Sequence, residues 1–293
     1  MHMRIFITGA TGSIGSIILR DLSRDHSMVA LFRGQKGAEM KNVEWVKGDI
    51  THVNAFEDAM SGCDALIHLA ARLSNSSEGL EEINVHATHA LVTKAREKGI
   101  EKIIVFSSAS VTQKYHTPYA ASKEKMENRL RGMGIPLMVL RPTFVYHEHS
   151  RSISGMSRYC ALPLPFIPLM NDGRANLHPI HSHDVARALR AILSKSFPTH
   201  MEAFDLASEE SFTLRDAIEM IARKKQINKP IIGIPHDEFF QLYSFLRGLG
   251  VKSWTLPIQL AAQGESYRVH PEKFENEYGV RMSNPWKRFW DCI

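Results

Sequence analysis

Residues 8–15 read TGATGSIG, and they lie between an apolar run, Arg4 to Thr8, and a segment whose apolar residues recur with helical spacing. A Gly-x-x-Gly-x-x-Gly turn between a strand and a helix is typical of folds that bind the diphosphate of a dinucleotide. Gly9 permits a tight turn, Gly12 lets the backbone approach the diphosphate, and Gly15 lets the helix pack closely on the strand. The turn therefore predicts an α/β fold in which a helix start binds an anion.

The alternation of strand and helix continues through the first 145 residues. Short apolar runs, each followed by an amphipathic segment, are typical of strands buried on both faces of a parallel sheet. The predicted strands are Arg4 to Thr8, Met28 to Phe32, Val43 to Val46, Ala65 to Leu69, Lys102 to Phe106 and Leu137 to Leu140. The pattern predicts a Rossmann-type doubly wound parallel sheet.

The second half of the chain has a different character. Ala161 to Leu169 contains three prolines, which disfavour a central strand or a helix interior. Ser182 to Ser194 keeps the helical spacing of the first half. We expect a smaller, irregular C-terminal substrate lobe beside the dinucleotide-binding domain. The predicted boundaries are 3–145 for the Rossmann domain, with 178–196 packing back on it, and 146–177 with 197–293 for the lobe.

The composition is that of an ordinary globular protein. The chain has 293 residues, of which 44% are hydrophobic and 23% charged, and this suits neither a disordered segment nor a disulfide scaffold. It contains no apolar run of about eighteen residues, so we expect no membrane partner. Cys63, Cys160 and Cys292 are far apart, which indicates reduced thiols and a cytoplasmic location. The net charge of +5 is scattered, which suits a small anionic ligand and argues against a nucleic-acid partner.

The residue after the second predicted strand indicates which dinucleotide binds. Dinucleotide folds commonly place an acidic residue there for the ribose 2′-hydroxyl, but Phe32 is followed by Arg33, and the first carboxylate is Glu39. A guanidinium pairs with phosphate oxygens in a bidentate manner. We therefore predict a preference for NADP(H), with NAD(H) possible, and an ordinary surface role as the alternative for Arg33.

A tyrosine and a lysine occur with a spacing that has chemical content. Tyr119 and Lys123 are four residues apart in a segment that begins at Pro118, so they share one face of a predicted helix. A nearby lysine charge lowers the pKa of a phenol, which makes tyrosine a usable acid or base. Ser107 and Ser108 follow the fifth strand, at the carboxyl edge where such sheets bind ligands. We expect a serine hydroxyl there to hold a substrate oxygen beside the tyrosine.

Together these motifs closely resemble the short-chain dehydrogenase/reductase superfamily, in particular its extended and atypical branches of the epimerase/dehydratase kind. The resemblance covers nearly the whole chain. The similar segments are TGATGSIG at 8–15, Gly48-Asp49-Ile50, His68-Leu69-Ala70-Ala71, INVHAT around Asn84, Ser107-Ser108, Tyr119 with Lys123, Arg141 to Tyr146 and His178 to Ala186.

The resemblance implies an NAD(P)-dependent redox enzyme. Tyr119 would act as the acid or base and Ser108 would bind the substrate oxygen. Lys123 would hold the nicotinamide ribose, and Asn84 would support the proton relay. The implied cofactor-binding residues are Gly9, Thr11, Gly12, Ser13, Ile14, Gly15, Arg33, Asp49, Ile50, Leu69, Ala70, Ala71, Ser107, Tyr119, Lys123, Pro142 and Thr143.

Two departures from the family pattern leave the substrate open. Sugar-nucleotide epimerases of this family commonly have an arginine shortly before the His-x-x-Asp element, where this chain has Leu177 and, three residues earlier, Arg174. The interval between Ser108 and Tyr119 is also short for an extended member, so the loop on the substrate side is abbreviated.

We predict an NADP(H)-dependent oxidoreductase or epimerase/dehydratase-like enzyme that moves hydride between the nicotinamide and a carbonyl or hydroxyl carbon of a small molecule. Two alternatives stay open: a non-catalytic NADPH-binding sensor or accessory subunit of the same fold, and a nucleotide-sugar epimerase. A homodimer is possible. Histidine-rich stretches at 147–149 and 178–183 contain zinc-type ligands. The first lies on a predicted loop and the second belongs to the family element, so we predict no metal site.

Overall fold

The computed structural model describes residues 2–74, 77–114, 116–235 and 266–293, together with positions 238, 241 and 245. The strands of its central parallel sheet are β1 (Arg4–Thr8), β2 (Ser27–Phe32), β3 (Val43–Lys47), β4 (Ala65–His68), β5 (Lys102–Phe106), β6 (Leu137–Pro142) and β10 (Met201–Leu206). Their order is β10-β6-β5-β4-β1-β2-β3. The order reverses between β1 and β4, which places the ligand-binding crevice of a doubly wound sheet at the carboxyl ends of these two strands.

The predicted fold class is confirmed. All six predicted strands are present, and β1 and β5 have the predicted bounds. Ile5, Phe6 and Ile7 of β1 are fully buried, as expected for a strand covered on both faces.

The seventh strand, β10, is not among the six predicted strands. It lies within the range 197–293 assigned to the smaller lobe, yet it pairs with β6 at the edge of the central sheet. Its sequence, MEAFDL, mixes polar with apolar residues because an edge strand is only partly covered. The remaining domain boundaries stay a prediction, and residues 236–265, apart from 238, 241 and 245, lie outside the described residues.

Helices, five of which cover the two faces of the sheet, complete the described part of the chain. They are α1 (Gly15–Leu22), α2 (Thr88–Glu97), α3 (Pro118–Arg131), α4 (Arg151–Cys160), α5 (Ser182–Ser194), α6 (Leu214–Lys224), α7 (Pro271–Tyr278) and α8 (Pro285–Cys292). The side chains of α1, α5 and α7 pack on one face of the sheet, and those of α2 and α3 pack on the other. The helix α5 has the predicted bounds and contacts α1. Among the described residues, no helix has both the length and the apolar character that crossing a bilayer requires.

The second half forms a smaller cluster beside the sheet. It contains two short parallel pairs, β7 (Val145–Tyr146) with β9 (Ile180–His181) and β8 (Ile167–Met170) with β11 (Ile231–Ile234). The strand β8 contains Pro168, and its two-stranded sheet is a place where proline is tolerated. The apolar side chains of α4, α6 and α8 pack together here around Phe289.

Candidate active site

The turn that connects β1 to α1 requires glycine at particular positions. Gly9 has a φ of +74°, and a Cβ atom there would lie 2.7 Å from the backbone nitrogen of Ala70. A Cβ atom at Gly15 would lie 2.1 Å from the carbonyl oxygen of Gly9. Both obstructions are main chain, so neighbouring side chains cannot move to relieve them. The glycine spacing is therefore set by backbone-to-backbone packing between the turn and the segment after β4.

The start of α1 fits an anionic ligand. Within the described residues, the N–H groups of Ser13 and Ile14 donate to no acceptor. The helix has no side-chain cap at its N-terminus and no acidic residue in its first turn. Unpaired N–H groups at the positive end of a helix dipole bind phosphate groups. The chemistry of the turn therefore fits the diphosphate of a dinucleotide.

Arg33 and Asp49 meet where β2 and β3 end. The Nη1 atom of Arg33 lies 3.4 Å from Oδ2 of Asp49, and the Arg33 side chain is 74% exposed. Hydrogen bonds from Thr51 and the nearby Arg33 guanidinium hold the pKa of Asp49 below its ordinary value. Ile50, next in the chain, is buried. The structure thus places three of the predicted cofactor residues, Arg33, Asp49 and Ile50, after the carboxyl ends of β2 and β3.

The helix α3 presents Tyr119 and Lys123 one turn apart. It begins at Pro118, and Oγ1 of Thr117 accepts a hydrogen bond from the N–H of Ala120 at 3.2 Å. The side chain of Lys123 is buried, and its Nζ donates to the carbonyl oxygen of Phe106, the last residue of β5, at 2.7 Å. The lysine charge therefore lies directly at the carboxyl end of the fifth strand.

Burial shifts the pKa values of both groups. It lowers the pKa of Lys123 to about 8, whereas nearby Glu127 acts in the opposite direction. Burial also raises the pKa of Tyr119 above its ordinary value, and the neighbouring Tyr267 raises it further. The lowering of the tyrosine pKa that the sequence suggests is thus opposed by desolvation of the phenolate.

The two serines after β5 have different surroundings. The Oγ atom of Ser108 accepts hydrogen bonds from the N–H of Ser110 at 3.2 Å and from its hydroxyl at 2.9 Å. The Ser108 hydroxyl therefore keeps its own hydrogen for another acceptor, as binding of a substrate oxygen requires. The Oγ atom of Ser107 is buried and has no partner among the described residues. An unpaired buried hydroxyl is costly unless a ligand completes it, so Ser107 fits a place in the ligand site.

Asn84 is a fully buried brace behind α3. It lies in a π-helical turn, Glu82–Ala87, and its side chain makes two hydrogen bonds with the backbone of Arg72. Its Nδ2 also donates to Oγ of Ser122 at 2.9 Å, and that hydroxyl donates to the carbonyl oxygen of Tyr119 at 2.7 Å. Asn84 therefore positions the first turn of α3.

Pro142 and Thr143 lie at the carboxyl end of β6. The N–H of Thr143 donates to the carbonyl oxygen of Leu206 at 3.0 Å, and its hydroxyl donates to the carbonyl of His178. Leu69, Ala70 and Ala71 follow β4 directly beside the turn. The predicted residues therefore gather at the ends of neighbouring strands along one edge of the sheet.

The comparison with protein families decides the family. A model described as the NAD dependent epimerase/dehydratase family matches residues 5–207. The chain belongs to this family. Its members and neighbours are oxidoreductases, epimerases and dehydratases, so the predicted superfamily and the predicted enzyme class are both confirmed.

One of the curated proteins similar to this chain is a reductase by name. Ceramide reductase of Caulobacter vibrioides is 28% identical over 192 residues, which are 64% of this chain and 60% of that protein. The chain spans about three fifths of the length of the curated relatives it matches first.

Solved structures share the fold across nearly the whole chain. The dTDP-glucose 4,6-dehydratase DesIV of Streptomyces venezuelae, solved with NAD, has a TM-score of 0.75 at 18% identity, covering 99% of this chain and 96% of that one. WbmG of Bordetella bronchiseptica, solved with NAD and UDP, has a TM-score of 0.76 at 16% identity, covering 100% and 94%. At this level of identity the likeness establishes the fold.

Sequence reasoning missed a buried network beneath the turn of this family member. The ring of His68 bridges Thr8 and Thr88, with Nδ1 2.6 Å from Oγ1 of Thr8 and Nε2 2.9 Å from Oγ1 of Thr88. Burial lowers the pKa of His68 to about 3, so the ring is neutral. The only signal in the sequence was a histidine at the end of an otherwise apolar strand.

The segment 266–270 was also missed, because it carries no motif. It crosses the carboxyl edge of the sheet and is held by the bonds Asn176 N–H to Ser266 Oγ at 3.0 Å, Arg268 N–H to Thr112 Oγ1 at 3.1 Å, and His270 N–H to Asp205 Oδ2 at 3.0 Å. Tyr267, half-buried in the middle of this segment, interacts electrostatically with Tyr119. The segment therefore borders the site from the substrate side.

One group of metal-ligand types lies close together in the described part of the chain. A carboxylate oxygen of Glu148, a ring nitrogen of His181 and the sulfur of Cys292 are within 4.8 Å of one another. However, Nδ1 of His181 accepts a hydrogen bond from the N–H of His183 at 3.3 Å, which places the proton of the neutral ring on Nε2. A protonated nitrogen cannot bind a metal, so this tautomer fits a hydrogen-bonded histidine, and the predicted absence of a metal site stays a prediction.

Proposed function

We propose that the protein is an NADP(H)-dependent oxidoreductase or epimerase/dehydratase-like enzyme that moves hydride between the nicotinamide and a carbonyl or hydroxyl carbon of a small molecule. The observation that carries the proposal is the placement of Lys123 against the end of β5, one helical turn from Tyr119. Lys123 binds the carbonyl of Phe106, and Ser107 and Ser108 follow immediately. An acid, a cation and two hydroxyls thus share the edge of the sheet at which the glycine turn lies.

Each of the four predicted catalytic residues has a separate role in a carbonyl reduction. When bound, the nicotinamide supplies the hydride. Tyr119 donates its phenolic proton to the developing alkoxide, and the hydroxyl of Ser108 donates a hydrogen bond to the same oxygen. The charge of Lys123 stabilises the phenolate that Tyr119 leaves behind. Asn84 keeps the first turn of α3 in place through Ser122.

The preference for NADP(H) is supported by cationic side chains around the end of β2. Arg33 is largely exposed and can receive a 2′-phosphate, while its contact with Asp49 orients the guanidinium. A cavity of about 510 Å³ lies between the start of α1 and the residues after β2. Arg20 and Lys36 are among the residues that line it. Positive side chains at this position favour a phosphate over a free hydroxyl.

The proposal is tested by titrating NADPH and NADH separately into the protein and following tryptophan fluorescence. We expect NADPH to bind at least about tenfold more tightly, since a bidentate arginine–phosphate pair contributes roughly 1.5 to 3 kcal/mol. A panel of carbonyl substrates then follows, with oxidation of NADPH as the readout. Equal affinities for NADPH and NADH would show that Arg33 does not select the 2′-phosphate. Tight NADPH binding without turnover of any carbonyl would favour the sensor or accessory subunit instead.

A nucleotide-sugar epimerase is the second candidate, and the position of Arg174 favours it. Leu177, at the place where sugar-nucleotide enzymes of the family have arginine, is fully buried, whereas Arg174 is 83% exposed. Arg174 lines an open cavity of about 600 Å³ together with Ser266. A guanidinium there could bind a diphosphate. A rise in unfolding temperature with UDP-sugars but not with free sugars would support this candidate, and no shift with any sugar nucleotide would count against it.

A further inference from the structure

His147 contacts the glycine turn from a distant part of the chain. It follows β7, is 7% exposed, and its Nε2 lies 2.7 Å from Oγ of Ser13. Ser13 is itself exposed, and its N–H is one of the unpaired donors at the start of α1 in the described part of the chain. A nearly buried imidazole is therefore bonded to an exposed hydroxyl at the anion-binding end of a helix.

The direction of this hydrogen bond follows from the other ring nitrogen. Nδ1 of His147 accepts a hydrogen bond from the N–H of His149 at 3.3 Å. The proton of the neutral ring is therefore on Nε2, which donates to Oγ of Ser13. A serine hydroxyl that accepts a hydrogen bond keeps its own hydrogen for a further acceptor. The Ser13 hydroxyl is thus oriented as a donor beside the N–H groups of Ser13 and Ile14.

We propose that His147 is a positioning residue for the diphosphate of the dinucleotide and acts through the hydroxyl of Ser13. The hydrogen bonds run from Nε2–H of His147 to Oγ of Ser13, and from the Ser13 hydroxyl to a phosphate oxygen. The inference rests on the proposed function, because it requires a dinucleotide at the turn. It adds the hydroxyl of Ser13, which is oriented by a residue distant in sequence, to the backbone donors of residues 13 and 14.

The charges around His147 predict how this contact responds to pH. The ionisable groups that act on it are Glu148 and His149 of its own segment and His183 of α5, and His183 is paired with Asp21 of α1 at 3.0 Å. Burial lowers the pKa of His147 in the free protein. A bound diphosphate favours the protonated ring and so raises that pKa. Binding then takes up a proton, and affinity increases as the pH falls and is lost as the pH rises through the pKa of the complex.

Fluorescence titrations of NADPH at about pH 6 and about pH 8 test the proposal. The wild type is compared with His147→Phe, which keeps a ring without the N–H, with His147→Gln, which keeps a donor that does not titrate, and with Ser13→Ala. His149→Gln is the control for the adjacent ionisable side chain, because it removes an exposed imidazole that acts on His147 electrostatically and keeps the backbone N–H that donates to His147. Unfolding temperatures verify that each variant is folded.

We expect the wild type to bind about threefold to tenfold more tightly at the lower pH, since a pKa rise of one unit on binding changes affinity at most tenfold. His147→Phe and Ser13→Ala weaken binding by about tenfold, as loss of a hydrogen bond to a charged group predicts. His147→Gln recovers most of the affinity at the higher pH but loses the pH dependence. We expect the variant that combines His147→Phe with Ser13→Ala to bind no more weakly than either single variant, because both act through the same hydroxyl.

Two results overturn the inference. One is unchanged affinity in folded His147→Phe, and the other is a pH dependence that persists in this variant and disappears in His149→Gln. Failure of the proposed function is distinguishable, because the wild type would then bind neither NADPH nor NADH at either pH.

Discussion

The turn at residues 8–15 and the segment at 266–270 border the same site from opposite sides, and they are held in place by different means. The turn is fixed by main chain against main chain, with Gly9 and Gly15 in contact distances that admit no Cβ atom. The segment 266–270 is fixed by single hydrogen bonds to side chains, among them Thr112 and Asp205. Gly9 and Gly15 therefore tolerate almost no substitution, whereas the bonds that hold the segment 266–270 can be removed individually.

This difference suits a family in which the cofactor is shared and the substrates vary. Backbone packing keeps Gly9 and Gly15 of the turn constant, because a Cβ atom at either position clashes with main-chain atoms. Bonds to exchangeable side chains let the substrate side change without disturbing the sheet. Tyr119 interacts electrostatically with Tyr267 of the second region. The following experiments either sharpen this contrast or remove it.

The largest effect is expected for Tyr119→Phe, which removes the proposed acid. We expect turnover to fall by about 10²- to 10⁴-fold, the usual contribution of a general acid or base. NADPH affinity stays unchanged, because the turn is untouched. Turnover is measured from the absorbance of the reduced nicotinamide, and Tyr278→Phe on α7 is the matched control. Undiminished turnover would exclude Tyr119 as the acid.

Gly15→Ala tests the rigidity of the cofactor side. The added Cβ atom would meet the carbonyl oxygen of Gly9 at 2.1 Å, so the turn must distort. We expect dinucleotide affinity to fall by about a hundredfold, equivalent to roughly 2.7 kcal/mol. Gly34→Ala is the control, because no atom lies within 4 Å of a Cβ added there. Equal affinity in the two variants would contradict a turn fixed by backbone contacts.

The lowered pKa of Lys123 predicts a pH dependence of the free energy of unfolding. Its pKa is about 8 in the folded protein against 10.5 ordinarily, so the unfolded chain binds more protons between these values. The free energy of unfolding should therefore rise with pH in this window, by roughly 1 kcal/mol per unit relative to Lys123→Met. Urea unfolding at about pH 7.5 and about pH 9.5 measures this. Parallel profiles for the two proteins would contradict a lysine whose pKa is lowered by burial, and Lys125→Met, exposed on the same helix, is the control.

The smallest effect is expected on the substrate side. Thr112→Val removes the acceptor for the N–H of Arg268 while keeping the shape of the side chain. The variant also loses the bond from the Thr112 hydroxyl to the carbonyl oxygen of Ala109 at 2.7 Å, so its unfolding temperature is measured as well. Loss of the bond to Arg268, worth about 1 kcal/mol, predicts a rise of about fivefold in KM for the carbonyl substrate. Dinucleotide affinity stays constant in the same titration. A change in cofactor affinity with KM unaffected would show that the two sides are not independent.

The sequence predicted the central sheet of this protein better than it predicted the second half of the chain. Six strands and α5 could be located because buried parallel strands are continuous apolar runs and an amphipathic helix has a regular period. The edge strand β10 escaped because half of it is only partly buried, which leaves polar residues in its sequence. Elements that are fully buried can therefore be predicted from the sequence, and these elements determine the fold class.

The hydrogen-bond partners of buried side chains could not be predicted from the sequence. Ser122, Thr8 and Thr88 each complete a buried hydrogen-bond network, but serine and threonine occur everywhere in the chain and their spacing carries no period. Tyr267 reaches the site through three-dimensional proximity alone. What the chain pattern predicted is the set of elements, and what it left out is the set of contacts between elements distant in sequence.

The main-chain obstruction at Gly9 bears on any attempt to redesign the cofactor specificity. Because the blocking atoms belong to the backbone of residues 69 and 70, no compensating mutation of a neighbouring side chain can accommodate a larger residue there. Arg33, by contrast, is mostly in solvent and its only described partner is Asp49. An engineer can therefore exchange charges at the ends of β2 and β3 at little risk to folding, while the turn itself is best treated as immutable.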